Sequence, residues 1–323
     1  MGASWHPVTT TDTTSLDYWL NWRVVVCAIW VLSSIVIASI LIWKYEGSHH
    51  HQEEEEIGSQ GRRVVGTLYD DESWRPCLKG IHPAWLLSFR VASFSILLAL
   101  LMIDITVEGR RNIYYYTHWT LVLVTIYFGL GSLLSFYGCL QIFLNKVSPD
   151  GVEIKSNSDM EDGPHIGSIA PKTAGFWSYL FQIIYQINAG AVMLTDCVFW
   201  FIIFPFLATK NYHLNLTLIG VHSANAVFLL GDTALNSLRF PWFRIAYFLL
   251  WTTIYVIFQW IIHAIIPLWW PYTFLDLSSP QAPMWYLGVA LLQIPCYAVF
   301  SITMRLKCFL LVRWFPQSYH YVK

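Results

Sequence analysis

Seven stretches of roughly twenty residues with little or no charge decide what this chain can fold into. A hydrocarbon layer about 30 Å thick takes about 20 apolar residues of helix to cross, and only a helix or a closed barrel satisfies its own backbone there. The stretches cover approximately residues 24–43, 85–105, 113–136, 189–207, 216–235, 245–267 and 284–304. Trp19, Trp22, Tyr114 to Tyr116, Trp242, Trp269, Trp270 and Trp285 mark their ends, where amphipathic rings favour the headgroup layer. The expected fold is an all-α polytopic membrane helical bundle with about seven transmembrane spans. Only 12% of residues are charged, against roughly 25% in a soluble domain, so water does not solvate most of this chain.

Lys and Arg favour the cytosolic side of a membrane. Fourteen of them fall in the segments after the first, third, fifth and seventh stretches, and four (Arg23, Arg110, Arg111, Lys210) on the other side. Arg90, in the first turns of the second span, can snorkel to the cytosolic surface. The expected organisation is an extracytosolic tail (1–23), an extra N-terminal span (24–43) and a cytosolic disordered loop (44–84). A six-span core (85–304) with a cytosolic loop at about 145–176 and a cytosolic tail (305–323) follow. Polar, aperiodic segments at 49–56 and 156–168 read as solvated linkers. Residues 176–186 suit either an interfacial helix or an extension of the fourth span. A glycosylation sequon at Asn215 to Thr217 abuts the fifth span.

Several function classes drop out. A net charge of −1 offers no basic field for nucleic acid. Six cysteines without short spacing mark neither a disulfide framework nor a metal ribbon, so no cofactor or metal is expected. The partners expected are the lipid bilayer and a lipid substrate. Ionisable or hydrogen-bonding side chains inside a membrane are costly and point to function or to helix pairing. Thr117, His118, His222 and His263 gather in the extracytosolic half, with Asp104 at that surface as a solvated group. Asp196 and Asp232 read as structural partners for polar groups on neighbouring helices, and Asn225 as interhelical glue. A buried Thr commonly bonds its own helix one turn back, and a buried His commonly joins helices. Ligation of haem or metal by His118, His222 and His263 is a rival reading.

Thr117-His118-Trp119 with Phe128-Gly129, then Leu-Thr-Asp196 with Phe204-Pro205, then His222 with Asp232 ten residues on, Phe240-Pro241, and finally WWPYTFL from Trp269 to Leu275, resemble the androgen-induced membrane-protein family. The rolling stone branch of that superfamily is similar too. The resemblance covers roughly residues 85 to 305; Asp232 stands where the animal members carry Glu. It implies an intramembrane threonine-dependent hydrolase of fatty acid esters of hydroxy fatty acids, with Thr117 and His222 catalytic; His118, Asp196, Asn225 and Asp232 are the polar residues expected to support them. His222 would take the Thr117 proton as the hydroxyl attacks an acyl carbonyl, giving an acyl-threonine that water cleaves. The rolling stone branch implies instead a non-catalytic membrane protein in adhesion, fusion or scaffolding.

Overall fold

The computed structural model describes residues 12–47, 69–147, 174–207 and 216–319. The linkers at 49–56 and 156–168 and Asn215 of the sequon lie outside the described residues. Among the described residues no strand forms beyond two isolated bridges, and seven long helices do. They are α1 (Trp22–Ile42), α2 (Pro83–Glu108), α3 (Tyr116–Val147), α4 (Phe176–Val198), α5 (Leu216–Leu235), α6 (Ile245–Ile265) and α7 (Ala282–Trp314).

Local chemistry sets their ends. The Asn21 side chain accepts from Arg23 N to start α1, and His82 accepts from Ala84 N just before Pro83 to start α2; each satisfies an N–H that a helix start leaves without a partner. Gly109, at φ 69°, stops α2 in the left-handed region that a side chain disfavours. α4 runs unbroken from Phe176, so residues 176–186 extend the fourth helix and do not form a separate one. It then widens into π-type turns over Phe199–Leu207 around Pro205, whose missing N–H breaks the ordinary ladder.

Among the described residues, six segments are long and apolar enough to cross a membrane: Trp22–Glu46, Pro83–Val107, Tyr116–Leu144, Phe176–Pro205, Trp242–Ile265 and Ala282–Trp314. The chain is a multi-pass helical membrane protein. Where seven crossings were expected, α5, which carries His222, Asn225 and Asp232, is not among these six. It lies antiparallel beside α2: Asp232 meets Arg90 near one end, and Gly220 faces Leu100 toward the other. Large apolar side chains such as Leu32, Leu133, Phe143, Val227, Ile254 and Leu291 stay exposed on the outside of the bundle, as a lipid-facing surface requires.

One end of the bundle, the arginine end, holds Arg90, Arg239, Arg244 and Lys307; the other, the tyrosine end, holds Tyr18, Tyr114 to Tyr116 and Tyr272, with Arg23. At the arginine end the expectation of disorder through residue 84 is corrected over 69–82. Tyr69, Trp74 and Cys77 are buried, Cys77 N donates to Leu235 O at 2.8 Å, and Lys79 N donates to Ser318 O at 2.8 Å. Burial pushes the Cys77 thiol pKa up. Aromatic burial and backbone pairing hold what a polar composition suggested would be loose. The expected tail from 305 begins as helix, because α7 continues to Trp314.

Beneath this cap lies a buried network. Asp232, fully buried, accepts from Arg90 Nε (2.7 Å), Tyr127 Oη (2.5 Å) and Asn236 Nδ2 (2.8 Å). Arg90, also fully buried, donates further to Ser73 O and Ser135 Oγ, each at 2.7 Å. Beside it, Glu46 at the foot of α1 accepts from Arg244 Nε (2.9 Å), Tyr179 Oη (2.6 Å) and the Tyr247 hydroxyl. The core divides accordingly: Leu97, Tyr127, Phe181, Tyr185, Leu229 and Phe300 pack α2 to α5 with α7, while Val24, Cys27, Phe248, Tyr255 and Tyr297 pack α1 against α6 and α7.

Candidate functional site

At the tyrosine end, α3, α4 and α6 diverge around a cavity of about 60 Å³. One water needs about 10–15 Å³ on this measure, so it admits roughly four or five waters or a short stretch of lipid. Tyr116 and Thr117 of α3, Thr195 and Phe199 of the fourth helix, and Thr252 and Tyr255 of α6 line it with several aliphatic side chains. Among the described residues no charged side chain lines it. Its polar walls are hydroxyls already engaged: Tyr116 Oη meets Thr252 Oγ1 at 3.1 Å, and Thr195 Oγ1 donates to Ala191 O at 2.7 Å.

The loop between α6 and α7 roofs this cavity with Tyr272, Phe274 and Leu275. Tyr272 and Thr117 line the same cavity. Burial pushes the Tyr272 phenol pKa up, with Thr117 opposing, so the phenol stays protonated and able to donate. The segment before α1 holds the roof down. Tyr18 Oη donates to Asp276 Oδ1 at 2.8 Å and accepts from Leu277 N at 3.1 Å, while Arg23 Nη1 donates to Ser278 O at 2.6 Å. Burial, and then the Asp276 carboxylate, push the Tyr18 phenol pKa up as well.

His222 is buried on α5, on the far side of this wall. Its ring stacks on Phe199, with centroids 3.6 Å apart and planes 5° apart. Phe199 also lines the Thr117 cavity, so one aromatic ring stands between the cavity and His222. Thr117 and His222 are not hydrogen-bonded to each other, and His222 Nδ1 has no partner. The structure therefore sets the two expected catalytic residues on either side of Phe199.

The supporting residues divide. Asp232 is far from Thr117, in the arginine-end network. His118 Nδ1 pairs with Asp104 Oδ2 at 2.9 Å, and Asn112 Nδ2 donates to Asp104 Oδ1 at 2.7 Å. Asp104 is thus buried and engaged, a correction to the solvated group expected, because the turn after Gly109 folds Asn112 and His118 back onto it. Asp196 was expected to partner a neighbouring polar group; its Oδ1 is buried without a hydrogen bond. Asn225 donates Nδ2 to Val221 O at 3.1 Å, and its Oδ1 likewise has no partner. Asp196 is one turn from Phe199 toward the arginine end, and Asn225 one turn from His222 in the same direction. The polar atoms left unmet thus sit beside and just beneath the Phe199–His222 stack.

The three histidines of the metal-ligation reading do not converge. His118 is on Asp104, His222 is on Phe199, and His263 stacks on Trp270 with Nδ1 2.7 Å from Gln259 O. Among the described residues no group of three or more His, Cys, Asp or Glu is placed to hold a metal. Sequence reasoning missed Phe199 and Tyr18 as parts of the site, since neither carries a chemical signal of its own. Tyr272 was visible within WWPYTFL, without a role attached. No family model, curated protein or solved structure matches the chain.

Proposed function

We propose that this multi-pass protein is an intramembrane lipid ester hydrolase, with the arginine end in the cytosol and the Thr117 cavity in the extracytosolic half. The observation that carries this reading is the position of Thr117: it lines a largely apolar cavity, with no charged residue among the described lining, at the end of the bundle, where an acyl chain is soluble and water is near. In the proposed reaction the Thr117 proton passes to His222, and the oxygen adds to the acyl carbon. Tyr272 donates to the carbonyl oxygen as it gains charge. The alcohol leaves with the proton, and water then cleaves the acyl-threonine. Phe199 must swing aside, or a water must relay the proton, for His222 to act. The substrate class suggested by the resemblance to the androgen-induced proteins is a branched ester of hydroxy fatty acids.

The same Phe199 ring favours a second reading, a non-catalytic rolling stone-like protein in adhesion, fusion or scaffolding, in which Thr117 and His222 are packing residues. Labelling membranes with a lipophilic fluorophosphonate separates the two. Labelling of wild type that is lost in both Thr117→Ala and His222→Ala at equal expression supports the hydrolase. A folded wild type that takes no label leaves the non-catalytic reading standing.

A further inference from the structure

A second, smaller cavity of about 30 Å³ adjoins the first. The two share Thr252, Val256, Leu275 and Val289 as walls. The far wall belongs to α1 and α7, with Trp30, Ser34 and Gln293. Gln293 is only 4% exposed, and its Oε1 has no hydrogen-bond partner. Trp30 Nε1 is also buried without one. Among the described residues, an unmet donor and an unmet acceptor thus belong to two residues that line the same small space, inside a bundle where unmet polar groups are costly.

We propose that this space is a subsite for the free hydroxyl of a lipid ester, so that the molecule taken by the neighbouring Thr117 cavity is a partial glyceride or similar ester with an alcohol a few bonds from its acyl group. This molecule takes the place of the hydroxy-fatty-acid ester suggested by the resemblance, which has no free hydroxyl. The assignment rests on the hydrolase reading for what happens at Thr117, and on its own observations for what binds at Trp30 and Gln293. A hydroxyl donates to Gln293 Oε1 and accepts from Trp30 Nε1 at once. A carboxylate cannot donate, an ammonium cannot accept, and no charged side chain lines the cavity to neutralise either. Space for about two waters fits a CH–OH group. Trp30 lies on the N-terminal span, outside the region that resembles the androgen-induced proteins, so this span selects the substrate.

The test uses the full chain in phosphatidylcholine nanodiscs, with empty nanodiscs as background. Tritiated 1-oleoylglycerol is compared with tritiated methyl oleate, which keeps the ester and lacks the hydroxyl. Wild type should prefer the glyceride by about tenfold, the ordinary worth of one or two met hydrogen bonds. Gln293→Leu and Trp30→Phe should each remove that preference and leave methyl oleate binding at the wild-type level, which also reports that the variants fold. Absence of the preference in wild type, or its survival in Gln293→Leu, overturns the assignment. Thr117→Ala should keep the preference. A preference without fluorophosphonate labelling sinks the hydrolase reading alone, and labelling without a preference sinks the subsite alone.

Discussion

Replacing Asp232 with Ala tests whether the arginine-end network holds the bundle together. The change removes the carboxylate that Arg90, Tyr127 and Asn236 all address and leaves a guanidinium that is 0% exposed without its counter-ion. Breaking one partner of a buried pair costs about 3–5 kcal/mol. Arg90 keeps Ser73 O and Ser135 Oγ as acceptors, which places the cost near about 3 kcal/mol on that scale. At about 2 °C per kcal/mol, the lower end for a chain of this size, the melting temperature falls by about 6 °C. Thermal loss of the monodisperse peak in detergent, read by size exclusion, measures it. Arg90→Met with Asp232→Leu removes both charges and should recover most of the loss, because two apolar groups of similar volume demand no counter-ion. An Asp232→Ala protein within about 1 °C of wild type on this scale, or a double variant less stable than the single one, would refute the reasoning.

Two further outcomes follow from close contacts. A Cβ at Gly138 would lie 2.2 Å from the Trp74 ring, so Gly138→Ala should lift the 69–82 segment at a cost of about 1–3 kcal/mol, seen as faster tryptic cleavage at Arg75 or Lys79; an unchanged rate would show that Trp74 does not pin the segment. Phe199→Leu thins the wall between Thr117 and His222 and, on the hydrolase reading, should raise fluorophosphonate labelling severalfold; labelling at the wild-type level would show that Phe199 is no barrier.

The helices were legible because length and absence of charge suffice to mark a span, and those properties survive any packing. Lateral relationships were not. That Thr117 and His222 lie toward the same end of the bundle is expected from counting residues along their helices, but whether they face each other depends on how α3, α4 and α5 rotate about their axes. Packing sets that rotation, and it brings the Phe199 ring between them. Asp232 and Asp196 show the same limit. Each is an aspartate in an apolar helix with the same local signature, yet one meets an arginine from α2 and the other is left with an unmet oxygen. For the 69–82 segment the misleading signal was polarity. Its buried apolar side chains Tyr69, Trp74 and Cys77 are spaced among charged and polar ones, and neither a helical nor a strand period flags them.

The first span is secured at both ends by groups that come much later in the chain. Tyr18 waits for Asp276, 258 residues on, and Glu46 waits for Arg244, 198 residues on. At about 5–20 residues per second, a ribosome takes roughly 10–50 s to make the intervening chain. Throughout that interval α1 is inserted with an acidic side chain at its membrane boundary and no counter-ion, so it depends on the insertion machinery or on headgroup water for shelter. The step that completes these contacts is therefore the docking of α1 onto the start of α6 and onto the loop that follows α6. Variants at Glu46 or Arg244 should register first as chains cleared during biogenesis, before any loss of stability in molecules that have already matured.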